Sequence, residues 1–242
     1  MDKFVIKCKR KNVEEDESGI KLKEPRVNNV EPSVDKELTF RRIRGDNLNC
    51  DYTMLYSQKE ADELLKECEE NLQYNTGDLA RVHVFGKWHS IPRKQVAHGD
   101  PGLTYTFSGI SVPARPWTPL LLRIREKISK VTGQAFNFVL INRYKDGSDH
   151  MGEHRDDEKE LVPKSPIASF TLGQPRDFIF KHAESRGKEA KRIILPVKIE
   201  LQHGSLLMMN YPTNVYWYHS LPARKRLTSV RINMTFRQMV KL

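Results

Sequence analysis

From residue 136 onward, apolar positions alternate with polar ones or gather in short β-branched and aromatic runs broken by Gly, Pro and Asn, at 136–144, 167–173, 177–181, 193–201, 205–209 and 229–237. A period of two is that of strands with one face on a core. Six such runs without helix-length gaps between them predict an antiparallel sandwich or jelly roll, not a parallel α/β sheet. Upstream the period lengthens. Ser57 and Glu60 form a capping box ahead of Ala61, Leu64, Leu65, Cys68 and Leu72 at helical spacing. Thr118-Pro119 opens a second stripe, Leu121, Leu122, Ile124, Ile128 and Val131, which stops at Gly133. The expected architecture is mainly β with flanking helices (α+β), the two helices buttressing one sheet. Residues 1–40 mix charge with Pro, Asn, Glu and Ser and show no sustained period, so a disordered tail is expected there and a folded domain over 41–242.

Charge adds a partner to this picture. The formal net charge is +10, yet residues 1–40 hold nine basic and nine acidic side chains, whereas residues 181–242 hold twelve basic and three acidic ones. A polyanion is the expected partner of that basic stretch, with a merely solubilising surface as the alternative. The three cysteines, Cys8, Cys50 and Cys68, lack zinc-site spacing and the even count of a disulfide framework, which suits ordinary thiols in a reducing compartment. No apolar run reaches membrane-spanning length, and the N-terminus lacks the hydrophobic core of a secretory signal, so an intracellular chain without a membrane is expected.

The chemistry sits among the strands. In His154-Arg155-Asp156 an imidazole and a carboxylate at i and i+2 of an extended segment project to one side and can meet one ion. His219, delivered by another strand after the turn at 211–214, is the candidate third ligand; its alternative is a hydrogen-bonded core histidine. Two histidines and one carboxylate on one face of iron(II) leave the open positions that oxygen activation requires. In Arg231-Ile-Asn-Met-Thr235-Phe-Arg237 every second residue is polar, so one strand face is cationic and hydrogen-bonding and the other apolar. Guanidinium groups turned toward the metal need an anion, and a dicarboxylate that chelates iron through its keto-acid end is well suited. Asn142 and Tyr144 share a face and could add neutral hydrogen bonds, or be ordinary polar barrel positions.

Together the series Asn142-Arg-Tyr144, His154-Arg-Asp156, His219 and Arg231-Ile-Asn-Met-Thr235-Phe-Arg237 resembles the AlkB family of iron(II)- and 2-oxoglutarate-dependent dioxygenases. The resemblance runs from about Arg81 to the C-terminus, through Phe85-Gly-Lys-Trp-His and Leu103-Thr-Tyr-Thr-Phe-Ser-Gly, and is strongest toward the branch acting on duplex DNA. It implies a double-stranded β-helix. It also implies iron(II) on His154, Asp156 and His219, and 2-oxoglutarate on Asn142, Tyr144, Arg231, Thr235 and Arg237. The implied reaction uses O2 to hydroxylate an N-methyl group of 1-methyladenine or 3-methylcytosine, etheno adducts being possible further substrates, with release of formaldehyde, succinate and carbon dioxide.

A base inside a duplex must leave the stack to reach the metal. Phe85, followed by Gly86 and Lys87 at the tip of an alternating run, is the candidate wedge, and Tyr105, Thr106 and Phe107 the candidate pocket, where an aromatic face would attract a cationic methylated base. Asp157 could accept from its exocyclic amine or be a solvated member of the acidic run 156–160. Arg93, Arg186, Lys188, Arg224, Lys225 and Arg226 are the expected contacts to the DNA backbone, with Lys191 and Arg192 nearby. Lys3-Phe4-Val5-Ile6-Lys7 resembles the short motif by which repair proteins bind the replication sliding clamp. A monomer residing in the nucleus is the corresponding expectation.

Overall fold

The computed structural model describes residues 38–84, 86–107, 110–188 and 190–241. The expected tail and its clamp-like tip, Lys3, Phe4, Val5, Ile6 and Lys7, fall outside them. Leu38 and Phe40, ahead of residue 41, pack against the core, where two apolar side chains find cover.

In chain order the elements are β1 (Arg41–Gly45), β2 (Leu48–Met54), α1 (Gln58–Asn71), β3 (Arg81–Val84), β4 (Lys87–Ser90), β5 (Lys94–Gly99), β6 (Thr104–Phe107), β7 (Ile110–Pro113), α2 (Pro119–Thr132), β8 (Phe138–Tyr144), β9 (Met151–His154), β10 (Ile167–Gly173), β11 (Arg176–His182), β12 (Val197–Leu201), β13 (Ser205–Met209), α3 (Thr213–Tyr216), β14 (Trp217–Leu221) and β15 (Arg231–Arg237). They form a seven-stranded sheet, β1-β2-β13-β10-β15-β8-β5, a four-stranded sheet, β12-β11-β14-β9, and the hairpins β3-β4 and β6-β7. Every ladder is antiparallel, as a jelly roll requires.

Both expected helices form where their end signals stand. The Ser57 side chain accepts from the Glu60 amide while Glu60 reaches back to the Ser57 amide, and Thr118 caps α2 ahead of its first-turn proline. Gly133 ends α2 in the left-handed region, which a Cβ would oppose. Their apolar stripes, including Leu64 and Cys68 of α1 and Leu121, Ile124 and Ile128 of α2, pack on Val139, Ile141, Phe170, Ile232, Met234 and Phe236 of the large sheet. At about 25 cal/mol per Å² of apolar surface removed from water, this shared layer is the main force holding the helices in place. A second core, with Phe180, Leu201, Leu207, Trp217 and Leu221, lies between the sheets.

Three expected strands begin late: two by two residues, at Phe138 and Arg231, and one by four. The run at 193–201 enters its ladder only at Val197; Ile193 and Leu195 are exposed, and Pro196 has no N–H to offer a ladder. Among the described residues no helix is long and apolar enough to cross a membrane.

Candidate active site

Register decides what faces the interior. In the β15–β8 ladder Arg231 lies opposite Tyr144, Asn233 opposite Asn142, Thr235 opposite Leu140 and Arg237 opposite Phe138, while Thr171 and Ser169 of β10 oppose Asn233 and Thr235. Directly opposed residues share a face. The apolar alternates of these strands go to the helices, which leaves the polar set to line a cavity of about 490 Å³ between the sheets.

The metal-ligand candidates meet in that cavity. β9 pairs with β14 so that His154 stands opposite His219, and Asp156 follows two residues beyond the end of β9. One donor atom from each of the three lies within 4.8 Å of the others. Asp156 Oδ1 is 3.7 Å from His154 Nε2 and 3.9 Å from His219 Nε2, too far for hydrogen bonds and near the separation of donors converging on one ion. His154 Nδ1 is 3.0 Å from the Gly152 carbonyl, a contact that fixes the ring and leaves Nε2 to the site. Burial pushes the pKa of His219 down to about 3, so its imidazole is neutral. For Asp156 burial acts upward, but the Arg237 charge beside it outweighs that and holds the carboxyl below its ordinary value. A buried carboxylate with two imidazoles, one neutral and fully buried, is the donor set for iron(II).

The two arginines of β15 differ. Arg237 is already neutralised, with Nη2 2.9 Å from Asp156 Oδ1 and Nη1 2.8 Å from Glu158 Oε1. Arg231 is 2% exposed, donates from Nη2 to Thr171 Oγ1 at 3.0 Å, lies over the Tyr144 ring, and has a buried Nε with no partner among the described residues. Burial lowers its pKa to about 10, and it stays charged near neutrality. A buried guanidinium facing a polar cavity without a carboxylate among the described residues is a receptor for an anionic group. Arg231→Lys, which keeps the charge and loses the planar fork, is expected to raise the KM for 2-oxoglutarate by ~10- to 100-fold, the equivalent of one charged hydrogen-bonding pair. Steady-state titration of 2-oxoglutarate at saturating iron checks it.

The other site candidates are placed as follows. Asn142, Tyr144, Thr235, Tyr105, Thr106 and Asp157 all line the cavity. Tyr105 packs against Phe138 and under Arg237, and burial raises its pKa to about 12. Asp157 is exposed, on a segment where Asp156, Glu158 and Glu160 turn inward; Glu160 accepts from Thr106. The acidic run is thus split, with Asp156, Glu158 and Glu160 turned inward and Asp157 on the solvent side. Glu158 and Glu160 were missed; their alternate spacing from Asp156 was the available signal, although the segment after β9 is not a strand. The turn between β3 and β4 holds Gly86 and precedes exposed Lys87, as a hairpin tip should; Phe85 and the side chain of Phe107 lie outside the described residues.

Arg93, expected on the DNA backbone, is half-buried. It lines the cavity and donates to Asn142 Oδ1 at 2.7 Å, because β5 runs beside β8. Arg186 and Arg224 are engaged too, the first with Glu153 and the face of Tyr218, the second with Asp177. Arg192 pairs with Asp46 and Glu184. Lys188, Lys191, Lys225 and Arg226 are exposed on the two loops after β11 and β14.

An antiparallel β-barrel holding two histidines and a carboxylate beside a buried arginine defines the site of a mononuclear non-haem iron oxygenase. The 2OG-Fe(II) oxygenase superfamily model matches residues 51–237. The chain is 53% identical to DNA oxidative demethylase ALKBH2 of Bos taurus over 99% of its own length and 92% of that protein. It is 59% identical to DNA oxidative demethylase ALKBH2 of Homo sapiens over 84% and 77% respectively. The solved structure of OsALKBH1 shares the fold at a TM-score of 0.52 and 15% identity, covering 83% of this chain and 100% of the other. The chain belongs to the 2OG-Fe(II) oxygenase superfamily and, within it, to the AlkB family. Iron(II), 2-oxoglutarate and O2 are accordingly its cofactor and co-substrates.

Proposed function

We propose that this protein repairs alkylated DNA by oxidative demethylation, acting on 1-methyladenine and 3-methylcytosine in the duplex. The observation that carries the reading is the juxtaposition, in one cavity, of the His154-Asp156-His219 cluster with the anion-seeking Arg231. It is supported by identity to relatives named DNA oxidative demethylase. With iron(II) bound, 2-oxoglutarate and O2 supply an oxidant that hydroxylates the N-methyl group, leaving succinate, carbon dioxide and, from the hydroxymethyl product, formaldehyde.

The chain's own residues do the rest. Arg231, Asn142 and Tyr144 bind and orient the dicarboxylate, and Thr235 closes the same wall. Tyr105 offers a ring face to a base that methylation has made cationic, and the acidic segment of Asp157 and Glu158 favours that charge. The exposed lysines and Arg226 on the two basic loops neutralise phosphates without reading sequence. Phe85, the candidate wedge from the sequence, fills the gap left by the flipped base. The clamp-like tip at Lys3–Lys7 would bring the enzyme to the replication clamp, and a DNA substrate implies a nuclear site of action.

The test is repair of a single 1-methyladenine in duplex DNA, single-stranded DNA and RNA, following formaldehyde and base mass. Fastest repair in the duplex, dependent on iron(II) and 2-oxoglutarate, is the expected result; activity on RNA or single strands alone would overturn the duplex assignment. Phe85→Ala is expected to reduce duplex repair by about 10-fold or more, since unstacking without a wedge leaves a few kcal/mol unmet, while sparing the single-stranded substrate.

A further inference from the structure

Asp156 is a metal-ligand candidate on a segment without a strand to hold it. β9 is the edge strand of the small sheet, is paired with β14 irregularly between His154–His219 and Met151–Leu221, and ends at His154, two residues short of Asp156. The N–H and C=O of Asp156 would leave the ladder with nothing to bond. Both are met by one side chain: the Asp156 amide donates to Asn214 Oδ1 at 3.1 Å, and Asn214 Nδ2 donates back to the Asp156 carbonyl. A primary carboxamide carries the donor and acceptor of a peptide group, so Asn214 stands in for one residue of a missing strand. The neighbouring Arg155 guanidinium donates to the Val215 carbonyl at 2.6 Å and fastens the same segment a second time.

The support behind Asn214 is rigid. Buried Thr213 accepts from the Asn49 amide at 2.7 Å and donates to the Asn49 carbonyl at 3.1 Å, and Asn49 belongs to β2 of the large sheet. Asn210, at the start of the same turn, donates to Asp51 of β2 at 2.7 Å. The turn at 210–216 is thus riveted to one sheet and reaches across to grip a ligand-bearing segment beyond the edge of the other. The pull it opposes is visible. Arg237 draws on Oδ1 of Asp156, the same oxygen that faces both imidazoles.

We propose that Asn214 is a positioning residue of the metal site, its carboxamide fixing the backbone of Asp156 and thereby the distance of that carboxylate from His154 and His219. The inference rests on the assignment of these three as iron ligands. Groups that orient a ligand without touching the metal change metal affinity by ~10- to 100-fold when removed. Asn214→Ala is expected to weaken Co(II) binding to the full-length metal-free protein by that factor, with altered visible absorption of the Co(II) form, while the metal-free unfolding midpoint stays near wild type. Thr213→Val, which cuts the rivet and leaves Asn214 in place, is expected to shift affinity the same way by less.

Calorimetric Co(II) titration, the Co(II) spectrum and thermal unfolding of the metal-free variants read these effects directly. Unchanged affinity and spectrum in Asn214→Ala would overturn the proposal whatever happens to turnover. So would an affinity loss matched by collapse of the metal-free fold, which marks a general structural part. Asp156→Ala separates the underlying assignment: Co(II) binding as tight as wild type in that variant would sink the ligand set, and the bracket with it.

Discussion

Asp156→Asn is expected to lower metal affinity by at least ~10³-fold and abolish turnover, because it removes the only negative charge among the three donors. At an effective dielectric near 20, unit charges about 4 Å apart interact by about 4 kcal/mol, and iron(II) carries two. The substitution also turns the Arg237 charge from a partner of Asp156 into a near neighbour repelling the ion. The fold should survive, since Glu158 remains bound to the other arm of Arg237 at 2.8 Å. His154→Ala provides the contrast. It removes one donor and keeps the Asp156–Arg237 pair, so turnover is lost while weak metal binding persists. Mn(II) titration of both variants beside unfolding of the metal-free proteins checks the difference; equal affinity for metal in Asp156→Asn and wild type would overturn the electrostatic argument.

The same segment shows how far the sequence could be read. The β15 alternation Arg231-x-Asn-x-Thr235-x-Arg237 announced a two-faced strand, and the structure gives it two faces: a polar one in the cavity and an apolar one under the helices. The helix ends at Ser57 and Thr118–Pro119 were legible because capping is local chemistry. What stayed hidden depends on which strands become neighbours. Arg231 and Arg237 look alike in sequence, and only register shows that one meets Thr171 while the other is held by Asp156 and Glu158. Arg93 could not be told from a surface cation until β5 was found beside β8. Asn214 carries no motif of its own, because its partner lies 58 residues away in sequence.

Arg176 opens β11, and its substitution carries the largest expected effect on stability. It is 2% exposed, has no carboxylate partner among the described residues, and donates to three carbonyls: Asp146 at 3.3 Å, Asp149 at 3.1 Å and Pro222 at 2.8 Å. Two belong to the loop between Tyr144 and the ligand strand β9, the third to the loop bearing Lys225 and Arg226. Gly147 presses the same loops together, donating to the Leu227 carbonyl and accepting from the Arg224 amide, and a Cβ there would stand 1.8 Å from the Arg224 carbonyl oxygen. Arg176→Met keeps the stem's bulk and strips three acceptors of their donor, each worth about 1–3 kcal/mol when buried, against some relief from no longer burying a charge. A net loss of about 3 kcal/mol is expected in denaturant unfolding. With the basic loop freed, the KM for duplex substrate should rise far more than that for a short single strand. A variant as stable as wild type, with both KM values unchanged, would show that packing around the stem, rather than the guanidinium, holds the two loops.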